Sequence, residues 1–132
     1  MITCEALAVT CMDFRFQRLL DTWLQEYIGH GNYDRVAFAG AAKNSEVILS
    51  QVALAKELHD IQRVVLINHE DCGAYGEAGT LEKHTHDLRT MARMIHDRYP
   101  DVQVDLYFAS LPDQPAESAN DFMTHIEIVT VG

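Results

Sequence analysis

Lysine and arginine are scarce in this sequence. The 132 residues contain 10 of them against 20 aspartates and glutamates, which gives a formal net charge of −10 at pH 7. Binding to nucleic acid or to an anionic membrane depends on clustered Lys and Arg side chains that displace counterions. The charge balance therefore argues against both kinds of partner, whereas a small neutral substrate is compatible with it.

Long apolar runs are also missing. No segment approaches the ~20 residues that span a bilayer, and residues 1–5 lack the cationic region of a secretory signal peptide. Proline, glycine and serine are not concentrated into a linker, and no internal repeat is visible. We therefore expect one folded domain over residues 1–132 and a cytoplasmic location.

Cysteine is rare, with three residues at positions 4, 11 and 72. An odd number at these spacings does not resemble a disulfide framework, and it is typical of a reducing compartment in which thiols serve a metal or a reaction. Cys4 lies seven residues before Cys11, and we expect it to pack in the core or at the start of a strand.

Segments of strand character alternate with segments of helical periodicity. Strands are predicted at about 6–10, 35–39, 64–67, 102–109 and 126–131, and helices at about 16–28, 45–59 and 80–99. This alternation predicts an α/β fold in three layers, with a mostly parallel sheet of order 2-1-3-4 and helices on both faces. The connection to the last strand has no strong helical pattern, so we expect that strand at an antiparallel edge.

Two features of the predicted helices concern their surroundings. The second helix carries an apolar stripe too broad for a surface helix, so it is either sandwiched in the core or covered by a partner subunit. On the third helix, His84 and His86 are two residues apart and do not share a face, and we expect both on solvated helix surface.

Tyr75, in the glycine-rich loop 73–79, is expected either to line a site or to cover it.

Cysteine and histidine stand at the ends of two predicted strands. Cys11 follows the first strand, and His69 and Cys72 follow the third, Val64-Val65-Leu66-Ile67. If strand one is central, these two strands flank the point where the chain reverses direction, which is where open α/β sheets bind ligands. Two thiols and one imidazole are a zinc ligand set that leaves a fourth position open. The alternative is that Cys11 and Cys72 are ordinary buried thiols.

The pattern Cys11-x-Asp13-x-Arg15, followed by His69-x-x-Cys72-Gly73, resembles the zinc signature of the β-class carbonic anhydrases. The similarity covers the first to the third strand and is greatest to the compact branch of that family. It implies zinc held by Cys11, His69 and Cys72 with water or hydroxide in the fourth position, an Asp13/Arg15 dyad beside it, and a homodimer or higher homo-oligomer.

The sequence departs from the family pattern at two places. Phe14 stands where the family usually has Ser, and Ala37-Phe38-Ala39-Gly40 replaces the segment Arg-Asn-Ala-Gly. The first change concerns the substrate pocket, and the second concerns the surroundings of the dyad.

The resemblance implies a zinc lyase that reversibly hydrates carbon dioxide to bicarbonate. Asp13 would accept a hydrogen bond from hydroxide on zinc, Arg15 would hold that carboxylate ionised, and the backbone N–H of Gly73 would stabilise the developing oxyanion of the substrate. Asp13 has two alternative roles. It could take the fourth position on zinc in a closed site, or it could form a purely structural pair with Arg15 at the start of the first helix.

Two alternative functions use the same residues. One is hydrolysis of carbonyl sulfide or carbon disulfide, suggested by Phe14 if its ring narrows the pocket. The other is a catalytically idle zinc-binding homologue, which the two departures from the family pattern would permit.

Overall fold

The structure is a computed structural model that describes residues 1–110 and 127–130. The strands are β1 (Ala6–Thr10), β2 (Tyr33–Ala37), β3 (Arg63–His69), β4 (Gln103–Ser110) and β5 (Glu127–Thr130). The helices are α1 (Phe14–Ile28), α2 (Ser45–His59) and α3 (Leu81–Arg98), with short 3₁₀ turns at Ala41–Lys43 and Gly76–Ala78.

Four parallel strands form the sheet in the order β2-β1-β3-β4, which confirms the predicted order. Ala6 pairs with Tyr33 of β2 on one side and with Arg63 of β3 on the other, so β1 is central. β5 lies beside β4 in antiparallel register. Residues 111–126, which lead into β5, lie outside the described residues.

One face of the sheet is covered by α1. This helix buries Phe16, Leu20, Leu24 and Ile28, one residue per turn. They pack against the small or branched residues that point to that face, which are Ala6, Ala8, Val65, Ile67 and Ala109. Since successive residues of a strand face opposite sides, the residues between them point to the other layer.

The opposite face is covered by α2 and α3. The two helices bury Ile48, Val52 and Ala55, and Leu88, Met91 and Ile95, against Leu7, Val9, Val64, Leu66 and Leu106 of the sheet. Leu54 and Leu58 of α2 remain 46% and 57% exposed. The chain therefore does not sandwich α2 in its core, and covering by a partner subunit stays a prediction. The helices on both faces confirm the predicted three layers.

Several predicted boundaries differ from the structure by one or two residues, and two of them lie near the predicted site. β2 ends at Ala37 instead of Ala39, because the chain turns where Ala41 N–H donates to the Phe38 carbonyl. His69, expected just past the end of β3, is its last residue. Among residues 1–110 and 127–130, no helix combines the length and the hydrophobicity that crossing a bilayer requires. The cytoplasmic location stays a prediction.

Candidate metal centre

The structure brings Cys11, His69 and Cys72 together at the carboxyl ends of β1 and β3. Their ligand atoms all lie within 4.8 Å of one another, and the two Sγ atoms are 3.9 Å apart. All three side chains are buried, with exposed fractions of 6%, 2% and 4%. Both thiols are free cysteines, not a disulfide. The group could hold one metal ion.

The orientation of His69 fits a metal ligand. Its Nδ1 lies 2.7 Å from the Glu70 carbonyl oxygen, which can only accept, so Nδ1 carries the proton in the neutral ring. The ring also packs on Phe16, with 4.1 Å between the centroids. Nε2 is buried and, within residues 1–110 and 127–130, has no hydrogen-bond partner. An unpartnered ring nitrogen beside two thiols is the arrangement that a bound metal ion satisfies.

The two thiols have different surroundings. Burial opposes ionisation of Cys11, but the neighbouring His69 ring and the Gly40 N–H, which lies 3.4 Å from Sγ, lower the pKa of Cys11 to about 7. Burial, together with the nearby charge of Cys11, raises the pKa of Cys72. Without a metal ion the site therefore favours one thiolate, whereas a divalent cation stabilises both.

Gly40, whose N–H donates to Cys11 Sγ, lies at a turn that favours glycine. Its φ is 82°, in the left-handed region, and an added Cβ would lie 3.2 Å from side-chain atoms of both Ala74 and Lys43. The backbone conformation and the packing of these two neighbours therefore favour glycine at the turn that donates to Cys11.

Asp13 and Arg15 form the expected pair. Arg15 donates from Nε to Oδ1 at 3.1 Å and from Nη2 to Oδ2 at 2.7 Å. Burial opposes ionisation of Asp13, but Arg15 outweighs it and the pKa of Asp13 lies below its usual value. Asp13 is also the N-cap of α1, accepting from the Arg15 backbone N–H at 3.0 Å. The pair thus caps the helix and also faces the candidate metal group.

Asp71 holds Arg15 from the other side. Its carboxylate accepts from Nη1 at 3.0 Å and its carbonyl accepts from Nη2 at 2.8 Å. Asp71 has a φ of 55°, a conformation that Asp tolerates better than most residues. Sequence reasoning missed this contact, because the two residues are 56 positions apart.

Gly73 follows Cys72 in an exposed turn, and an added Cβ there would meet nothing within 4 Å. Close packing therefore does not require glycine at this position. Its role as an oxyanion donor stays a prediction.

Three exposed apolar side chains lie on the chain segments next to the candidate metal centre. Met12 and Phe14, which flank Asp13, are 63% and 73% exposed, and Phe38 is 38% exposed. Because Phe14 points into solvent in the single chain, its ring does not narrow a pocket there. Exposed apolar residues beside a site are typical of an interaction surface.

His84 corrects one expectation. We expected it on solvated surface, but it is fully buried, since it lies four residues before Leu88 on the buried stripe of α3. His86 is exposed, as expected. Tyr75 packs against Cys11 and Cys72, so it contacts the site. The ring of His84 stacks on Tyr75 with 3.9 Å between the centroids.

A second group of ligand-type side chains comprises Cys4, Asp34 and His59, with ligand atoms again within 4.8 Å of one another. His59 Nδ1 already lies 2.7 Å from Asp34 Oδ2, and these side chains are 38% and 31% exposed. Cys4 packs against the core, as expected. A partly exposed hydrogen bond between His59 and Asp34 beside a half-buried thiol accounts for this arrangement.

Relatives in sequence cover most of the chain. A protein of Rickettsia bellii (strain RML369-C), described as "Uncharacterized protein", is 23% identical in an alignment of 126 positions, and the alignment covers 81% of this chain and 77% of that protein. The "Uncharacterized protein RC0076" of Rickettsia conorii (strain ATCC VR-613 / Malish 7) is 25% identical in an alignment of 126 positions, which covers 81% of this chain and 68% of that protein.

Solved structures share the fold. Carbonic anhydrases from Glaciozyma antarctica and from Streptococcus mutans superpose with TM-scores of 0.65 and 0.66 at 15% and 16% identity. The alignments cover 100% and 99% of this chain and 85% and 83% of those chains. The b-carbonic anhydrase of the fungal pathogen Aspergillus fumigatus superposes with a TM-score of 0.52 at 13% identity, over 99% of this chain and 77% of that chain.

The family is identified by a sequence model described as "Putative carbonic anhydrase", which matches residues 1–115. That range contains the cysteine and histidine motifs and all four parallel strands. The match confirms the resemblance noted from the motifs, and the chain belongs to this β-carbonic-anhydrase-like family.

Proposed function

We propose that this chain is a zinc-dependent carbonic anhydrase that reversibly hydrates carbon dioxide to bicarbonate. The observation that carries the proposal is the buried group of Cys11, His69 and Cys72, in which His69 Nε2 lacks a hydrogen-bond partner among the described residues. Membership of the family makes this reaction the first to test.

The donor set suits zinc. Thiolate and imidazole are the ligands that Zn²⁺ prefers, and three protein donors leave one coordination position for water, as in catalytic sites. A zinc ion held there would supply a Lewis acid that makes a hydroxide nucleophile from water near neutral pH. The hydrogen bond from His69 Nδ1 to Glu70 keeps Nε2 free to act as a ligand.

Asp13 is placed to orient the nucleophile. Its Oδ2 lies 3.9 Å from His69 Nε2, so the carboxylate borders the metal group without displacing a ligand. An ionised carboxylate accepts a hydrogen bond from the attacking water or hydroxide, which directs an oxygen lone pair toward the carbon of the substrate. Arg15 keeps Asp13 ionised and prevents its rotation toward the metal.

The contacts of Arg15 favour the open arrangement over the closed one. In the closed alternative Asp13 leaves Arg15 and becomes the fourth ligand. That rotation would break two hydrogen bonds to a guanidinium that Asp71 also holds. The observed pairing of Asp13 with Arg15 therefore supports the open arrangement, in which water can reach the fourth position on the metal.

The functional unit is a homodimer in this proposal. Met12 and Phe14 place exposed apolar surface beside Asp13, and a second copy would bury it. The active site would then lie near the interface between the two copies, in the cytoplasm.

The sulfur-substrate alternative depends on Phe14 narrowing the pocket, and in the single chain Phe14 is 73% exposed, so its ring does not do so there. Stopped-flow hydration of carbon dioxide by zinc-loaded protein separates the three candidates. We expect catalysis that disappears when zinc is removed and returns when it is restored. A rate no higher than that of buffer would overturn the proposal and favour an idle zinc-binding homologue, and hydrolysis of carbonyl sulfide or carbon disulfide alone would favour the other alternative.

A further inference from the structure

Asn68 is a polar residue inside an otherwise apolar strand. It directly precedes His69 in β3 and is 1% exposed. Because neighbouring residues of a strand face opposite sides, its side chain points away from that of His69. A buried amide is costly unless its donors and acceptor are satisfied, so its partners show what the residue does.

All the hydrogen-bonding groups of the Asn68 amide have partners on the described chain. Oδ1 accepts from the Ala42 N–H at 3.2 Å, and Nδ2 donates to the Tyr75 hydroxyl at 3.1 Å and to His84 Nδ1 at 2.9 Å. The Ala42 N–H can only donate, which fixes the amide orientation. Tyr75 in turn donates its own proton to Asp87 Oδ2 at 2.8 Å.

These bonds reach the candidate ligands along two routes. Ala42 belongs to the turn in which the Gly40 N–H donates to Cys11 Sγ at 3.4 Å. Tyr75 packs against Cys11 and Cys72, and its N–H bonds to the Cys72 carbonyl at 3.1 Å. One side chain thus joins the strand that carries His69 to the segments that surround both thiols.

We propose that Asn68 is a positioning residue that, through Tyr75 and the Ala42 turn, holds Cys11 and Cys72 at the separation a metal ion requires. The inference rests on the metal group of the proposed function. Substitution of residues that contact the metal ligands typically changes metal affinity 10–100-fold, because such residues set the geometry of the ligands before the metal binds. Asn68 holds Tyr75 and His84 through the two N–H donors of Nδ2.

Two substitutions test the role of Asn68. Asn68→Asp keeps the shape and the acceptor for Ala42 but removes both donors, and Tyr75→Phe removes only the hydroxyl while the ring stays against the cysteines. Tyr107→Phe is the matched control, since the Tyr107 hydroxyl donates to that of Tyr27 in a separate cluster. Zinc affinity by chelator competition and the visible spectrum of the cobalt(II)-substituted protein are measured for each.

We expect Asn68→Asp and Tyr75→Phe to weaken zinc binding by about 10–100-fold and to shift the cobalt d–d bands. Tyr107→Phe should lower the midpoint of metal-free unfolding with no change in zinc affinity or spectrum. Unchanged zinc affinity and spectrum in both site variants would overturn the inference, as would an equal loss of affinity in Tyr107→Phe. A wild-type protein that binds zinc tightly without hydrating carbon dioxide would instead overturn the proposed function and leave this inference standing.

Discussion

Oδ2 of Asp13 lies 3.9 Å from Nε2 of His69, while Arg15 holds the same carboxylate on its other side. The distance is too long for a direct hydrogen bond. It leaves Asp13 next to the atom that would bind a metal ion but not in contact with it. Asp13 is not in the group of side chains whose ligand atoms all lie within 4.8 Å of one another, and its pairing with Arg15 fits a residue that orients the nucleophile better than one that binds the metal.

Asp13→Ala is therefore expected to lose carbon dioxide hydration by about 10²-fold or more while the zinc content stays at the wild-type level. Stopped-flow rates and metal analysis of the same preparation check both. Asp21→Ala is a suitable control, because Asp21 is a half-exposed carboxylate of α1 that pairs with Arg35 instead. Loss of zinc from Asp13→Ala would identify Asp13 as a ligand.

Arg15→Gln should move the acid limb of the pH–activity profile to higher pH. In the wild type Arg15 holds the pKa of Asp13 below its usual value although burial raises it. Without the guanidinium, burial is opposed only by the backbone N–H of residue 15 and by His69, so Asp13 takes up a proton at a higher pH and activity is lost sooner as the pH falls. A profile with the same acid limb as the wild type would show that Arg15 does not maintain the charge of Asp13.

His84 should make the metal-free protein less stable as the pH falls from about 6.5 to 4. Burial, and then the nearby charge of His69, lower the pKa of His84 to about 4, and Asp87 opposes them. If His84 Nδ1 were protonated, it would also face the N–H donor of the Asn68 amide, which is unfavourable because both groups donate. As the pH falls, the unfolded chain therefore binds the proton before the folded chain does. The contribution to the free energy of unfolding is complete above about pH 6.5 and is lost toward pH 4, and it amounts to about 3 kcal/mol in total.

Urea unfolding of metal-free protein between pH 4 and 7 measures this contribution, and removal of the metal avoids effects of metal release. His84→Gln should reduce the pH dependence relative to the wild type, whereas His86→Gln, at an exposed position of the same helix, should leave it unchanged. Parallel curves for the wild type and His84→Gln would contradict the assignment.

Phe14→Asp is expected to dissociate the proposed homodimer. A carboxylate cannot be buried in an apolar interface without a partner, so the dimer dissociation constant should rise at least about tenfold. Light scattering coupled to size-exclusion chromatography measures the mass at several concentrations. Leu81→Asp, at an apolar residue that is 57% exposed at the start of α3, is the matched control and should remain dimeric. A monomeric wild type would refute the dimer.

Local sequence patterns predicted the layers of this fold well. β1 was predicted with the bounds that the structure has, because its apolar run is short and is followed directly by Cys11. The order of the parallel strands followed from placing strand one at the centre of the sheet, with right-handed crossovers limiting the remaining topologies. The periodicity of α3 would have placed His84, four residues before Leu88, on the buried stripe, but our prediction put it on solvated surface and was wrong.

The residues around the metal group were harder to predict. The partners of Asn68 lie 7, 16 and 26 positions away, and Asp71 lies 56 positions from Arg15. Such contacts depend on how separate loops meet at the sheet edge, which no local pattern contains. The one available signal was an amide within the apolar run of β3, since a buried polar group needs specific partners.

X-ray absorption at the zinc edge of the purified protein tests the central claim most directly. We expect one zinc ion per chain, bound by two sulfur and two nitrogen or oxygen atoms, and a loss of sulfur scattering when Cys11 or Cys72 is replaced by Ser. A protein that retains no zinc, or a zinc ion without sulfur ligands, would contradict the proposed metal centre.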